Sequence, residues 1–374
     1  MPATHARGEH SAMTFRPRRQ AGAKGAVLGA LLGAVLFSPD PAAAGALPKA
    51  GAALSQTSVS GLSSGAFMAG QFEIAHSKDV VGAGIVAGGP YACAESSAAR
   101  LFPYWFTGVA QNAVQAAQSC MKTTLGEPDP EKLFARAQEL AEDGEIDPLS
   151  GLATHNVYLY SGDKDSTVSR PVVEAAKRFY ELAGVPQGNL SYIEGDGGHA
   201  FITEEGGAAC GLSETPFVSD CDYDQARAIL GWIYGPLTPA NAKPEGEFIV
   251  FEQAEFTEPG EGLADEGVVY IPPACRQTPG CRVHVALHGC QQSRARVGGT
   301  FIEDTGYAEL ADTNRLIILF PQIASSAVNP QGCWDWWGYT GLDYLGKDAP
   351  QISALWKMVE RLAEPPAEAE PGQE

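Results

Sequence analysis

The chain has no block of basic residues: 25 lysines and arginines face 45 aspartates and glutamates, a formal charge of −20. Nothing is therefore available to displace the counterions of a phosphate backbone, which argues against nucleic acid as a partner. An anionic membrane surface is disfavoured for the same reason. The apolar run Ala26–Phe37 is too short for a bilayer, which needs about 20 residues. No Cys-x-x-Cys pair occurs among the eight cysteines, which argues against a zinc ribbon or a thioredoxin-type centre. Internal repeats are also lacking.

What is present describes an exported globular protein. A hydrophobic content of 44% with 19% charged residues supports a sizeable core, and 374 residues allow one large domain or two ordinary ones. Arg16, Arg18, Arg19 and Lys24 precede the run Ala26–Phe37, and Ala42-Ala43-Ala44 follows it as a small-residue cleavage site. Residues 1–44 therefore read as a signal peptide, with a tethered N-terminal helix as the plainer alternative. The pair Arg18-Arg19 raises a twin-arginine route, but the residues after it fit that route poorly. Removing the signal leaves 20 basic and 43 acidic residues, a charge of −23. No membrane anchor is then expected, and the protein is expected to be secreted or periplasmic. Export makes disulfides the default. Spacing does not dictate connectivity. Closeness in the chain suggests Cys93–Cys120, Cys210–Cys221 and Cys275–Cys281, which leaves Cys290 with Cys333.

Strands and helices alternate along residues 56–200. Strands are expected at Gln56–Ser60, Val80–Ala87, Asn156–Tyr160 and Leu190–Ile193, with helices at 66–76, 109–121, 130–143 and 171–182. That alternation predicts an α/β fold with a mostly parallel sheet and helices on both faces. Residues 236–247 (PLTPANAKPEGE) read as a connection. Strands are expected again at Phe248–Phe251, Val268–Ile271, Val283–Leu287 and Leu316–Phe320, with helices at 301–312 and 351–362. Residues 364–374 form an acidic, Pro-rich tail expected to be disordered.

Gly61-Leu62-Ser63-Ser64-Gly65 lies between a strand and a helix. That context turns Gly-x-Ser-x-Gly into a nucleophile elbow, whose sharp turn exposes the serine at the top of a sheet. Without the context it would be an ordinary Gly/Ser turn. A serine hydroxyl needs a base, and the base needs an orienting acid. His199 follows the strand at 190–193 in a glycine-rich loop; the alternative is a surface-loop histidine. Asp163, Asp165 and Asp196 compete as the acid. Asp165 is preferred because Gly162-x-x-Asp165-x-x-Val168 is the usual hydrolase spacing. Ser63, Asp165 and His199 each follow a strand, where open α/β sheets carry their sites, in the order of the α/β-hydrolase fold.

An oxyanion requires preorganised donors. Ser64 N–H is one, and Cys290 N–H, in His288-Gly289-Cys290 after the strand at 283–287, is the other. Such a loop ordinarily precedes the elbow. Circular permutation accounts for its late place, with 283–363 supplying the part that usually comes first; a second, unrelated domain is the alternative. Trp334, Trp336, Trp337 and Tyr339 read either as core aromatics or as a wall of a substrate groove.

The segments GLSSGAFMA (61–69), SGDKDSTV (161–168), GDGGHA (195–200), LHGCQQ (287–292) and NPQGCWDWWGY (329–339) together resemble the secreted poly(3-hydroxyalkanoate) depolymerases. In those enzymes the catalytic domain is a circularly permuted α/β hydrolase. The resemblance spans most of the chain after residue 44. It implies a single catalytic domain over 45–363, with Ser63 as nucleophile, Asp165 as acid, His199 as base, and the Ser64 and Cys290 amides as oxyanion hole. It further implies ester hydrolysis of poly(3-hydroxybutyrate) or its oligomers by a monomer, without cofactor or metal. Many such enzymes carry a linker and a polymer-binding domain. This chain stops soon after its final helix, so soluble oligomers or amorphous polymer are the expected substrates. Feruloyl or acetyl esterases of plant polysaccharide share the His-Gly-Cys loop and are the runner-up. A non-catalytic binding protein on the same scaffold is the third reading.

Overall fold

The computed structural model describes residues 44–101 and 105–366. The expected signal segment, Ala44 apart, and residues 367–374 of the expected tail lie outside the described residues. In chain order the strands are β1 (Thr57–Leu62), β2 (Val80–Val86), β3 (Asn156–Gly162), β4 (Leu190–Gly195), β5 (Phe201–Thr203), β6 (Ala208–Ala209), β7 (Val218–Asp220), β8 (Glu247–Glu252), β9 (Glu266–Ile271), β10 (Arg282–Leu287) and β11 (Leu316–Phe320). Eight of them form one sheet in the order β4-β3-β2-β1-β10-β11-β9-β8, and β5, β7 and β6 form a small second sheet. Every neighbouring pair from β4 to β11 is parallel, while β9 and β8 run antiparallel. The first strand among the described residues thus lies mid-sheet, and the C-terminal part supplies the other half.

The central strands are buried on both faces, as parallel strands covered by helices must be. Consecutive residues of β2 show the two layers. A Cβ on Gly84 would meet Ile229 of the helix Gln225–Tyr234, whereas the next residue, Ile85, reaches Gly70 of the helix Ser64–Ala75. Alternation along a strand sends neighbours to opposite faces, so helices cover both.

Burial obliges the polar residues of β1 to find partners. Ser58 Oγ meets His284 Nδ1 at 2.6 Å, and Ser60 Oγ meets His284 Nε2 at 2.8 Å. Tyr234 and Tyr307 hydroxyls complete the row at 2.7 and 2.5 Å. Burial holds the His284 ring down to about 3, so it is neutral. Behind the elbow, Glu73 is wholly buried and receives His155 Nδ1–H at 2.8 Å and Tyr180 OH at 2.6 Å. Burial works against a charge on His155, but Glu73 prevails and raises its pKa.

The ends of the described chain meet. Ala50 and Ala52 N–H donate to Leu362 O at 3.1 and 3.0 Å, Gly51 N–H donates to Glu364 O at 2.8 Å, and Ala53 N–H donates to Cys281 O at 2.8 Å. This seam lies where β1 and β10 begin. Four disulfides form, Cys93–Cys120, Cys210–Cys221, Cys275–Cys281 and Cys290–Cys333, the pairs that closeness suggests.

Two helix boundaries differ from the sequence reading. The segment expected as one helix over 301–312 is two, Thr300–Glu303 and Tyr307–Asn314. Gly306 between them takes φ +83°, a left-handed turn no helix interior accommodates. The helix expected at 109–121 runs Trp105–Gln118 and stops short of Cys120, which is bonded to Cys93. The helix Gln225–Tyr234 and the small sheet were not expected. The strands of that sheet have two or three residues each, too few for a periodic signal. Among the described residues no helix is long and apolar enough to cross a membrane.

Candidate active site

Ser63 joins β1 to the buried helix Ser64–Ala75 with φ 57° and ψ −120°. A residue bearing a Cβ is strained there. The turn is closed by Ser63 N–H donating to Val86 O at 2.9 Å and Phe67 N–H donating to Ser63 O at 3.0 Å. Its glycines are sterically required. A Cβ on Gly61 would lie 2.3 Å from the Gly65 carbonyl, and one on Gly65 would lie 2.3 Å from Leu287 O and 2.5 Å from His288 O. The second contact also presses the elbow against the loop that leaves β10.

Beyond β4, His199 Nδ1 lies 2.8 Å from Asp165 Oδ2. Asp165, beyond β3, accepts Thr167 N–H at 2.7 Å and Val168 N–H at 2.9 Å on Oδ1. A carboxylate only accepts, so Nδ1 carries the proton and Nε2 is left as the basic nitrogen. His199 N–H donates to Ser213 Oγ at 2.7 Å, which fixes the backbone of its loop. The rival acids lie elsewhere: Asp163 is exposed and paired with Arg170, and Asp196 is exposed. Ser63 and His199 line one cleft of about 610 Å³, together with Gly289, Cys290, Trp336 and Trp337.

The loop after β10 is held from several sides. His288 is fully buried; its Nδ1–H donates to Gly289 O at 2.7 Å and its Nε2 accepts Ile323 N–H at 3.2 Å. Burial pushes this ring down to about 4, so it is neutral, as that pattern of bonds requires. Gln291 N–H donates to Gln331 O at 2.7 Å, and Cys290 is bonded to Cys333. Among the described residues, neither Ser64 N–H nor Cys290 N–H has a hydrogen-bond acceptor. Two free donors beside a serine can receive a developing negative charge.

The four aromatics of 334–339 divide. Trp336 stacks on Phe67 with ring centres 4.0 Å apart, and Trp337 meets Trp336 edge-on at 5.8 Å. Both line the cleft. Trp334 is fully buried and Tyr339 OH donates to Cys333 O at 2.8 Å; neither is among the lining residues. Reading the sequence missed Asp335. Its buried carboxylate accepts the N–H groups of Gly338, Tyr339 and Thr340 and the Thr340 hydroxyl, all within 2.6–2.9 Å. Burial raises its pKa against the pull of those donors. Asp335-Trp-Trp-Gly338 is a turn signal that could have revealed it. Gln292 was also missed as more than part of a motif. Among the described residues no group of three or more His, Cys, Asp or Glu is arranged to hold a metal ion.

No family model matches the chain. It is 35% identical over 343 residues to the polyhydroxybutyrate depolymerase of Talaromyces funiculosus, covering 86% of this chain and 93% of that one. The chain belongs to the polyhydroxybutyrate depolymerase family. A second depolymerase, the poly(3-hydroxybutyrate) depolymerase of Delftia acidovorans, is 40% identical over 314 residues, which is 82% of this chain. The match spans 60% of the length of that relative. Among solved structures, the PHB depolymerase from Penicillium funiculosum superposes with a TM-score of 0.76 at 33% identity, covering 85% of this chain and 98% of that one. A serine-to-alanine PHB depolymerase complexed with an R3HB trimer gives a TM-score of 0.74 at the same identity and coverage. The fold is therefore the α/β-hydrolase-like fold of these depolymerases.

Proposed function

We propose that this protein is a serine esterase that hydrolyses poly(3-hydroxybutyrate), or related polyhydroxyalkanoate polymer and oligomers, through an acyl-enzyme. The observation that carries the reading is the bond from His199 to Asp165 at the edge of a cleft that Ser63 shares. The depolymerase relatives and the trimer complex of one of them support the choice of substrate. Ser63 Oγ attacks the ester carbonyl carbon and gives its proton to His199 Nε2. The oxyanion so formed is received by Ser64 N–H and Cys290 N–H. As the ester C–O bond breaks, His199 returns the proton to the leaving alkoxide. Water then repeats the sequence on the acyl-serine, releasing the acid. Phe67, Trp336 and Trp337 supply an apolar wall for the chain of the polyester, while Trp334 and Tyr339 support that wall from beneath.

Residues 45–363 are read as one circularly permuted catalytic domain. Strands β8 to β11 fill the half of the sheet that would otherwise precede the elbow, and the seam between residues 50–52 and 362–364 supports that reading. Four disulfides favour an oxidising compartment, in keeping with a cleaved signal at 1–44 and secretion or a periplasmic location; a monomer is proposed on the family resemblance alone. Ser63→Ala should lower release of 3-hydroxybutyrate from its trimer and from amorphous polymer by about four orders of magnitude or more without moving Tm by more than a few degrees. Turnover retained by a folded Ser63→Ala protein would sink the proposal. Feruloyl esters assayed beside the trimer test the substrate class.

A further inference from the structure

We infer that Gln292 is a positioning residue that holds the oxyanion loop in register with the loop of His199; the inference rests on the serine-esterase reading above. Gln292 is 1% exposed, and its amide lies between two loops that line the cleft. On one side Oε1 accepts Gly289 N–H at 2.8 Å. On the other, Nε2 donates to Pro216 O at 3.1 Å and to Phe217 O at 2.9 Å. Phe217 O also accepts Phe201 N–H at 2.9 Å, two residues beyond His199. In the same segment, Ser213 Oγ accepts the N–H of His199 itself at 2.7 Å. A single side chain therefore joins the loop of the base to the loop whose amide would donate to the oxyanion.

The geometry gives this bridge a task. Gly289 O and Cys290 N–H belong to one planar peptide and point in opposite directions. Gly289 O is held by His288 Nδ1–H at 2.7 Å and by Gln292 N–H at 3.3 Å. Gln292 thus clasps Gly289 twice, by its backbone N–H on the carbonyl and by its Oε1 on the amide. Steric packing does little here, because a Cβ on Gly289 would find nothing closer than 3.4 Å. The side-chain bond acts one peptide upstream, on Gly289 N–H. Without it the two bonds to Gly289 O alone orient the next peptide, and the direction of the Cys290 N–H relaxes while ground-state binding is untouched.

Two variants separate the parts. Gln292→Met keeps the volume and loses every side-chain bond; Gln292→Glu keeps the acceptor for Gly289 N–H and loses the donor to Pro216 and Phe217. The expected result for Gln292→Met is a fall of about 100-fold in kcat on the 3-hydroxybutyrate trimer, the low end of the effect of losing an oxyanion donor, with KM within about twofold. Affinity for an alkylboronic acid, which forms a tetrahedral adduct on the serine, should fall by the same factor, and Gln292→Glu should fall between parent and Gln292→Met. A residue that only stabilised the fold would move Tm and leave boronate affinity unchanged in the folded protein. Folded variants with kcat and boronate affinity within threefold of the parent overturn the inference, as does failure of both variants to fold. A parent that the boronate does not inhibit overturns the serine-esterase reading, and this inference with it. Inhibition of the parent and of the variants to equal extent overturns this inference alone.

Discussion

Replacing Asp165 by asparagine changes one atom, yet the surrounding bonds leave the new amide no choice of orientation. Thr167 and Val168 N–H both point at Oδ1, from 2.7 and 2.9 Å. The amide oxygen must stay there, because two donors facing an NH₂ group would leave three buried polar groups unsatisfied. The NH₂ is then directed at His199 Nδ1, 2.8 Å away in the parent. To accept from it, the ring must give up its Nδ1 proton and carry one on Nε2, the nitrogen that should take the Ser63 proton. Such a tautomer error costs about 10⁴-fold in kcat, or about 5.5 kcal/mol of barrier. Stability should fall by only roughly 1.5–3 kcal/mol, for one charge-assisted hydrogen bond. Asp163→Asn is the control: that side chain is exposed and pairs with Arg170, so activity should stay within about twofold, as for a surface ion pair. Steady-state hydrolysis of the 3-hydroxybutyrate trimer with parallel urea melts reads both effects. Asp165→Asn activity above about a tenth of the parent's, or an equal loss in Asp163→Asn, would refute the orientation argument.

Two further outcomes follow from buried groups. Cys290–Cys333 closes a loop with a sequence separation of 43, for which the chain-entropy relation gives roughly 4 kcal/mol. Mild reduction should lower activity at temperatures where far-UV dichroism is still native, and mass mapping should find those two thiols alkylated in the inactive fraction; full activity with both alkylated would contradict it. Acid should destabilise the fold. His76, His284 and His288 are held near 4, 3 and 4 by burial, first of all, with Lys347 adding to the effect on His76, against an ordinary 6.5. Folded values below unfolded ones mean stability that is complete above pH 6.5 and declines as pH falls toward 4. His155, raised by Glu73, works the other way, lending stability below 6.5 that is lost as pH rises through its folded value. Asp335 and Glu309, raised by burial, lend stability in acid as His155 does. The three histidines, however, are displaced far from 6.5 and take up protons on unfolding throughout the window. The urea midpoint should therefore drop between pH 7.5 and 5, and His76→Phe should flatten the drop. A midpoint that rises in acid would show the signs to be wrong.

What could be read without coordinates was what chemistry or periodicity forces. The strands of the large sheet announce themselves as apolar runs such as Leu316–Phe320, and the elbow does so because Gly61 and Gly65 have no room for a Cβ. Asp165 stood out from Asp163 by spacing, and the structure sets the two apart by burial and partner. Contacts between distant segments of irregular backbone were beyond reach. Gln292 is an ordinary polar residue until residues 216 and 217 are brought to it, and the division of Trp336 from Trp334 follows from a loop with no repeat to read. The break at Gly306 was missed because Phe301 and Ala308 stand seven residues apart, as they would on one continuous helix.

The seam between residues 50–52 and 362–364 lies where β1 and β10 start, and the cleft lies where they end. A leash fixed at residue 366 therefore pulls on the pole away from the cleft, whereas one fixed at residue 44 pulls on the end of β8, where Gly45 bonds Val250 O and Glu252 N–H. Coupling the protein to a bead or a second module through residue 366 should leave its mouth facing outward. Tension between residues 44 and 366 would load the bonds of Gly45 to β8 and then that seam before it reached the serine.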